Sequence, residues 1–546
     1  MEGAASENQS HNDSYSPSWD KYPSGERTLG TDAGITRENA GGQDDETALL
    51  VEAVRIAAKN EEGIGSFFAR NFKDQVCYDA STKKWFIFGE NEHTWKEDIA
   101  GNYFHLLDGL ETLFEEQAKV LAYNLKREEK GDKLSGNNSY AGPYTDALSK
   151  AGFSSPNAAL KTLKEKAEQL TGYYYRKTCF EYAKQGTGRG GGLTITEDIW
   201  NRDPYLLGCR NGVVDLRSGE LRTGTPEDFI SFQAPVNYNP GAECPHFEEF
   251  LRDILGNDDE VYCFMQRLLG LALIGDGNIK QYIVILNGYG RNGKGTLMQT
   301  LHHVLGSQYA GKIDPSLITK NKYDTKAAGI EVFDLKNRRI VYTEETDEGD
   351  KFNQALVKML SGGGSLKARP LYGAYTDFKS SHMVILETNN LPEFKPDMAL
   401  VHRLIRFDFP FSYVENPRPS RPYEKKIDPH LPEKLREESE GILAWLIRGC
   451  REYQLAGLNI PSKIQALVED YERENNNVSY YLENYCKTGE ELKVTQANLY
   501  QNYYQNMVGE GEIVLGRNTF LKEVDSLGRE LGFHRSRRLY RGLDIK

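Results

Sequence analysis

The stretch Gln281-Tyr-Ile-Val-Ile-Leu-Asn-Gly-Tyr-Gly-Arg-Asn-Gly-Lys-Gly-Thr296 decides how the rest of this chain is read. Gln281–Leu286 is short, apolar and β-branched, the pattern of a strand buried on both faces of a parallel sheet. Glycines at 288, 290, 293 and 295 follow, then a helical pattern with Leu297, Leu301 and Leu305 on one face and Gly306 as stop signal. A strand that passes through a glycine-dense loop into a helix is the context of a phosphate-binding P-loop. The glycines let the backbone close on phosphate oxygens, and the helix N-terminus turns its N–H groups toward them. Lys294 adds a full charge near the β- and γ-phosphates. The nucleotide-binding set is therefore Gly288, Gly290, Asn292, Gly293, Lys294, Gly295 and Thr296. Gly295 stands where a Ser or Thr usually gives its hydroxyl to Mg²⁺, and Thr296 comes one residue later. Either Thr296 reaches the metal through a shifted turn, or a water replaces the hydroxyl.

Downstream, Arg339-Ile-Val-Tyr-Thr is an apolar run that ends in Glu344-Glu345. Phosphoryl transfer needs one carboxylate near the Mg²⁺ shell and one group to orient or activate the attacking water, so this pair would have to sit where the strand ends and the backbone turns. A third strand, Met383-Val-Ile-Leu, ends in Thr388-Asn389, and a fourth, Leu404–Phe409, is preceded by Arg403. Upstream, Glu248–Ile274 reads as a helical stretch, and Asn211-Gly-Val-Val-Asp-Leu with Ser218-Gly219 as short strands joined by turns. Lys84–Phe88 and His93-Thr94-Trp95 flank a turn and predict a hairpin, while Leu106–Leu125 and Ala158–Tyr175 carry helical periodicity. The glycine-dense Gln185–Gly192 has no strand before it and is read as a connector.

Composition narrows the classes. The 546 residues are 39% hydrophobic and 27% charged, enough for several packed domains, and the net charge is −13. That charge is uneven. Residues 1–47 hold ten acids against three bases, whereas 532–546 hold five bases against one acid. The acidic, polar stretch 1–48 is expected to be disordered. No apolar run approaches the roughly 20 residues of a membrane helix, and the N-terminus lacks the apolar segment of a signal peptide. Seven scattered cysteines without a CxxC pair predict reduced thiols, with neither a disulfide framework nor a zinc site, in a soluble intracellular protein.

GYGRNGKGT (288–296), RRIVYTEETDEG (338–349), LSGGGSLKAR (360–369), LETNNLP (386–392) and HRLIRFDFPF (402–411), taken in this order, resemble superfamily 3 helicases, in particular the phage, plasmid and poxvirus primase–helicase branch. The upstream segments Trp200-Asn-Arg-Asp-Pro, Asn211–Leu216 and Asn239-Pro-Gly-Ala-Glu-Cys-Pro resemble the stretch those proteins carry before their ATPase core. The resemblance spans roughly residues 65–415 and weakens toward the C-terminus. It implies an α/β architecture: an AAA+-type P-loop ATPase core, a mixed α+β N-terminal domain and a C-terminal winged-helix-like domain. The expected boundaries are 1–48 for the tail, 49–240 for the N-terminal domain and 241–275 for a helical collar. The core follows over 276–415, a helical extension over 416–475 and the winged-helix-like domain over 476–546.

Carried onto this sequence, the resemblance makes Lys294 the loop lysine, Glu345 with Glu344 the acidic strand end, and Asn389 the sensor asparagine. Arg403 becomes the arginine offered to a neighbouring subunit's ATP, with Arg406 as competitor. Gly362–Phe378 corresponds to the loop and hairpin that grip DNA in the channel of a hexameric ring. Its basic residues are Lys367 and Arg369, with Lys379 just after, and Tyr372 and Tyr375 are placed to stack on bases. The cofactors implied are ATP and Mg²⁺, with Thr296 and Glu344 on the metal side. The partners implied are single-stranded or forked DNA, further copies of the chain, and a separate primase or polymerase, since Asp-x-Asp is absent. A 3′→5′ replicative helicase of a mobile element in a bacterial cytoplasm is the function implied. An ATP-switched initiator or loader that remodels DNA without processive unwinding uses the same scaffold. Near the C-terminus, Asn518 is expected to cap a helix through Leu531, and Phe533–Ile545 to form a basic wing with Arg535, Arg537, Arg538 and Arg541. Tyr503-Tyr504 reads as helix packing.

Overall fold

The computed structural model describes residues 43–135, 142–186, 191–276, 279–319, 328–343, 350–362, 364–369, 375–394, 398–475, 477–510 and 514–546. They fall into two compact units. One holds the described residues up to Phe88 together with Lys96–Glu197, and the other holds Gly89–Trp95 and Asp198–Lys546. The strands of 206–222 belong with the second unit, on the near side of the expected boundary at 240.

In the first unit, the helix Gln43–Ala57 begins inside the stretch expected to be a disordered tail. It is ordered because Leu50, Val54 and Ile56 pack into a shared core with Phe67, Phe114 and Phe180. The helix Glu61–Phe72 starts at Asn60, whose side chain accepts from Gly63 N. Strands β1 (Val76–Asp79) and β2 (Lys84–Gly89) pair antiparallel, and β4 (Thr194–Ile195) runs parallel to β1; of β3 (Thr94–Glu97), only Lys96 and Glu97 belong to this unit. The Leu106–Leu125 periodicity becomes the helix Asp108–Ser135. The Ala158–Tyr175 pattern is two helices, Pro156–Thr171 and Tyr173–Gln185, because Gly172 adopts an extended backbone between them. Buried Arg176 ties this helix pair to Asp108 and Glu111 by ion pairs. Of the glycine-dense connector, 187–190 lie outside the described residues.

The second unit opens with the antiparallel meander β5 (Leu206–Cys209), β6 (Gly212–Asp215) and β7 (Glu220–Arg222). The Glu248–Ile274 stretch is two helices, Pro245–Ile254 and Asp259–Ala272, separated where Gly256 takes a left-handed φ of 79°. A parallel sheet follows, from β8 (Ile283–Asn287), β9 (Ala310–Lys312) and β10 (Ile340–Thr343), with the antiparallel pair β11 (Ser365–Ala368) and β12 (Thr376–Lys379) inserted before β13 (Met383–Thr388) and β14 (Leu404–Asp408). Its order is β14-β8-β13-β10-β9, every neighbouring pair parallel.

Successive strand residues face opposite ways, which is why β8 reads as a continuous apolar run. Val284 and Leu286 join Leu297, Leu301 and Leu305 of the helix Lys294–Tyr309 on one face. Ile283 and Ile285 join Val341, Val384 and Leu404 on the other. Burying one such aliphatic side chain contributes about 1.5–3 kcal/mol. A short parallel pair, β15 (Ser412–Val414) and β16 (Glu424–Lys426), lies after β14. The helices Asp259–Ala272 and Ser439–Ala456 then touch backbone to backbone: a Cβ on Gly270 would meet Cys450 N at 2.1 Å, and one on Gly449 would meet Gln266 O at 2.2 Å.

The chain ends with the helix Asn477–Tyr485, β17 (Cys486–Thr495), the helices Gln496–Gly509 and Arg517–Leu531, β18 (His534–Ser536) and β19 (Leu539–Ile545). The sheet order is β17-β19-β18, antiparallel throughout. The last helix is capped by Gly516, and Asn518 sits inside its first turn, because the chain is still extended at Gly516 (ψ 145°) and already helical at Arg517. Tyr503 is fully buried in this subdomain, whereas Tyr504 is half exposed. All seven cysteines are free thiols, and no described helix is long and apolar enough to cross a membrane.

Candidate nucleotide site and nucleic-acid surfaces

β8 delivers the glycine loop to the C-terminal edge of the sheet, where parallel α/β folds place their ligands. The root of the loop is clamped from both sides. Gly288 N donates to Thr388 O of β13 (3.2 Å), and Asn287 Nδ2 donates to Asp408 Oδ1 of β14 (2.9 Å). Two glycines are required here. Gly288 has φ 155°, and a Cβ would meet Asn292 Nδ2 at 2.4 Å and Phe409 O at 2.8 Å. Gly293 caps the helix at φ 91°, and its Cβ would press on Ile254 at 2.8 Å. Farther out, Tyr413 N donates to Arg291 O (2.7 Å), which fixes the outer limb of the loop.

Lys294 is the first residue of the helix and is buried. Its ammonium donates to Gly288 O, folding back over the loop, and to Asn389 Oδ1 at 3.0 Å. Asn389 is held by its neighbours: Asn390 N donates to Thr388 Oγ1 (2.9 Å), and that hydroxyl donates back to Asn390 O. Two residues 95 positions apart in the chain thus meet at one point. Asn292 is 3% exposed, and its Nδ2 has no hydrogen-bond partner among the described residues. A buried orphan donor costs about 1–3 kcal/mol, and an anion in the loop would relieve it. Thr296 is half-buried in the first helical turn, where its carbonyl accepts from Thr300 Oγ1 (2.8 Å). Successive helical residues are rotated by about 100°, so Thr296 does not share the direction of Gly295.

β10 lies beyond β13 in the sheet, with Thr343 level with Leu386 and Leu386 level with Ile285. Glu344 and Glu345 lie outside the described residues, as does Tyr372. The structure adds an acid that sequence reasoning missed. Glu387 of β13 is 5% exposed, and its Oε2 is 3.8 Å from a Cβ built on Gly295. The signal was present: a carboxylate directly follows the apolar run Met383–Leu386, two residues before Asn389.

Arg403 and Arg406 separate cleanly. Arg403 precedes β14 at the N-terminal edge of the sheet, while the loop of its own chain leaves at the C-terminal edge. The five residues of β14 between the two edges span about 16 Å. There it donates to Lys358 O (3.0 Å) and Gln281 Oε1 (2.7 Å). Arg406 is buried within β14 and forks onto Asp408 (2.8 and 3.0 Å). Its guanidinium is engaged by Asp408 of its own chain.

The pair β11–β12 turns Leu366, Ala368 and Phe378 into the core and leaves Lys367, Arg369 and Lys379 exposed. Exposed Tyr375 lies under both cations, 6.0 Å from Lys367 Nζ and 5.0 Å from the Arg369 guanidinium. Asp377 is opposite Lys367 in the register and tempers the charge. In the C-terminal subdomain, Arg535, Arg537, Arg538 and Arg541 are all exposed. Arg537 occupies the β18–β19 turn at φ 53°. Arg535 is partly committed to Asp525 (2.9 Å).

Fold and site together define an α/β protein with a glycine loop, a buried lysine and a polar strand end at one edge of a parallel sheet. The description "D5 N terminal like" matches residues 65–256. The chain is 27% identical over 326 residues to "Putative helicase L207/L206" of Acanthamoeba polyphaga mimivirus, covering 56% of this chain and 33% of that one. It is 29% identical over 237 residues to "Putative primase C962R" of African swine fever virus, covering 42% and 24%. The chain spans less than two-fifths of the length of these curated relatives. Among solved structures, the apo C-terminal region of NrS-1 aligns at a TM-score of 0.36 and 14% identity, over 56% of this chain and 70% of that one. Residues 65–256 thus match this family model, and the relatives the chain aligns with are named "Putative helicase" or "Putative primase" of large DNA viruses.

Proposed function

We propose that this chain is an ATP hydrolase of the superfamily 3 type that drives a ring-shaped DNA helicase, translocating 3′→5′ on single-stranded DNA during replication of a virus-like or other mobile element. One observation carries the reading: Lys294, buried at the mouth of the glycine loop, reaches Asn389 on the adjacent strand end at 3.0 Å. A cation from the loop helix and an amide from the next strand converge where a terminal phosphate would lie.

The donor set fits a nucleotide. Lys294 would neutralise the β- and γ-phosphates, loop N–H groups would hold their oxygens, and Asn292 Nδ2 would gain the acceptor it lacks. Asn389 would orient the attacking water or sense the γ-phosphate. Mg²⁺, when bound, would neutralise phosphate charge; Thr296 and Glu344 are the residues expected to hold it. Arg403, at the far edge from its own loop, suits service to a neighbouring subunit in a hexamer. The β11–β12 cations with Tyr375 suit the backbone and bases of single-stranded DNA. The helix–strand–helix–helix–hairpin order of 477–546 supports a winged-helix reading, with its exposed arginines on duplex phosphates at a fork. A separate primase would supply primers.

The test is direct. Lys294→Ala should abolish Mg²⁺-dependent ATP hydrolysis and strand displacement on a forked duplex while keeping the wild-type melting temperature. Hydrolysis at the wild-type rate in that variant would refute the phosphate-loop assignment. Wild-type hydrolysis without strand displacement would favour the loader.

A further inference from the structure

We propose that Glu387 supplies the metal-side oxygen of the nucleotide site, in place of the hydroxyl that normally follows the loop lysine. The inference rests on the phosphate-loop reading above and names a residue which that reading leaves out. Three observations meet here. Gly295 directly follows Lys294 and offers no side chain. The space its side chain would enter faces a carboxylate, because a Cβ at Gly295 would lie 3.8 Å from Glu387 Oε2. Glu387 is also two residues before Asn389, the partner of Lys294, and so stands on the same strand end as the group that meets the phosphate-binding cation.

Position gives the reason for a metal. Buried carboxylates pair with cations or coordinate metals, and Glu387 stands at the end of an apolar strand with Oε2 turned toward the place where the usual hydroxyl would start. Mg²⁺ in phosphate sites is commonly held by one or two carboxylates, substrate phosphates and waters. Thr296 is a poor substitute, turned about 100° away along the first helical turn. The loss of the hydroxyl at 295 and the presence of an acid at 387 are thus two halves of one exchange. A neutral ligand is replaced by a charged one that arrives from the adjacent strand instead of from the helix. The exchange has a consequence: without metal, Glu387 repels the phosphates, so nucleotide binding should depend steeply on the divalent ion.

The experiment uses the full chain, ADP and Mn²⁺ as probes. Free Mn²⁺ is read by electron paramagnetic resonance in the presence of ADP, and binding of a fluorescent ADP analogue is read with Mg²⁺ and in EDTA. In Glu387→Gln, Mn²⁺ retention on protein-bound ADP should weaken by about tenfold or more. Affinity in EDTA should hold or rise. Adding Gly295→Ser to that variant should recover part of the retention. Should Glu387→Gln fail to fold by circular dichroism, Glu387→Asp keeps the charge but withdraws it by one methylene, and Mn²⁺ retention should again fall. Unchanged retention in the folded variant would overturn the inference. So would a change in nucleotide affinity that is equal with and without metal, which would make Glu387 an electrostatic partner of the loop alone. If wild type binds no ADP, or Lys294→Ala binds it equally well, the phosphate-loop reading itself fails and this inference with it. If binding requires Lys294 yet ignores Glu387, only the present inference fails.

Discussion

Single residues in this chain are set by which end of a strand they occupy. Arg403 and Arg406 are three positions apart, yet one sits at the sheet edge and the other is buried beside Asp408. At the start of β13, His382 is fully buried near Ser380 (3.4 Å), and burial together with the Arg338 charge lowers its pKa from 6.5 to about 4. The unfolded chain takes up this proton near pH 6.5, whereas the native state resists until about pH 4. Stability should therefore be unaffected by this group above pH 6.5 and fall as the pH drops toward 4, by at most about 1.4 kcal/mol per unit. Denaturant melts of His382→Gln should show a shallower loss over that window than wild type. Parallel pH profiles would show that His382 does not contribute to the slope.

Two elements carry cations without using them to hold the fold together. On β11–β12, alternation separates core residues from Lys367, Arg369 and Lys379, so replacing the three with alanine should leave folding nearly intact. DNA-stimulated hydrolysis and unwinding should drop, and basal hydrolysis should remain. Equal loss of basal hydrolysis would place these cations in the nucleotide site instead. The C-terminal strands call for point substitutions, because β19 is the middle strand of its sheet and Tyr540 is fully buried there. Removing 532–546 would unfold the subdomain. Arg537→Ala, Arg538→Ala and Arg541→Ala combined should instead weaken DNA binding and reduce its salt slope by about 0.7–0.9 for each phosphate that is no longer neutralised. A binding curve with unchanged salt dependence would mean these arginines touch no phosphate.

At the scale of the whole molecule, the position of Arg403 bears on assembly. Strand β14 places it about 16 Å from the edge where its own loop leaves, which suits the proposed action on another copy's ATP. Arg403→Ala should bind ATP nearly normally and lose about 10³-fold or more in hydrolysis, since an arginine finger meets charge that develops in the transition state. Mixing Arg403→Ala with Lys294→Ala should restore part of the activity, because some interfaces then pair an intact lysine with an intact arginine. No recovery in mixed oligomers confirmed by native mass measurement would argue against service between subunits. Arg406→Ala should not complement, as its guanidinium is engaged with Asp408.

The sequence alone determined the strand–loop–helix unit at 281–305, because period, glycine spacing and helix signals are local. The strands 340–343, 383–388 and 404–408 were legible for the same reason: a parallel strand buried on both faces must be apolar throughout. Local signals gave less where a break depends on one backbone angle. Gly172 and Gly256 each divide what reads as a single helix, and Gln43–Ala57 is helical because a core elsewhere accepts its apolar face. Only the tertiary structure showed which candidate residues meet. Sheet order brings β13 beside β8, so Asn389 meets Lys294 and Glu387 faces Gly295, although about 90 residues separate them in the chain. Register decided the rest, since moving three positions along β14 turns an arginine at the sheet edge into a buried ion pair.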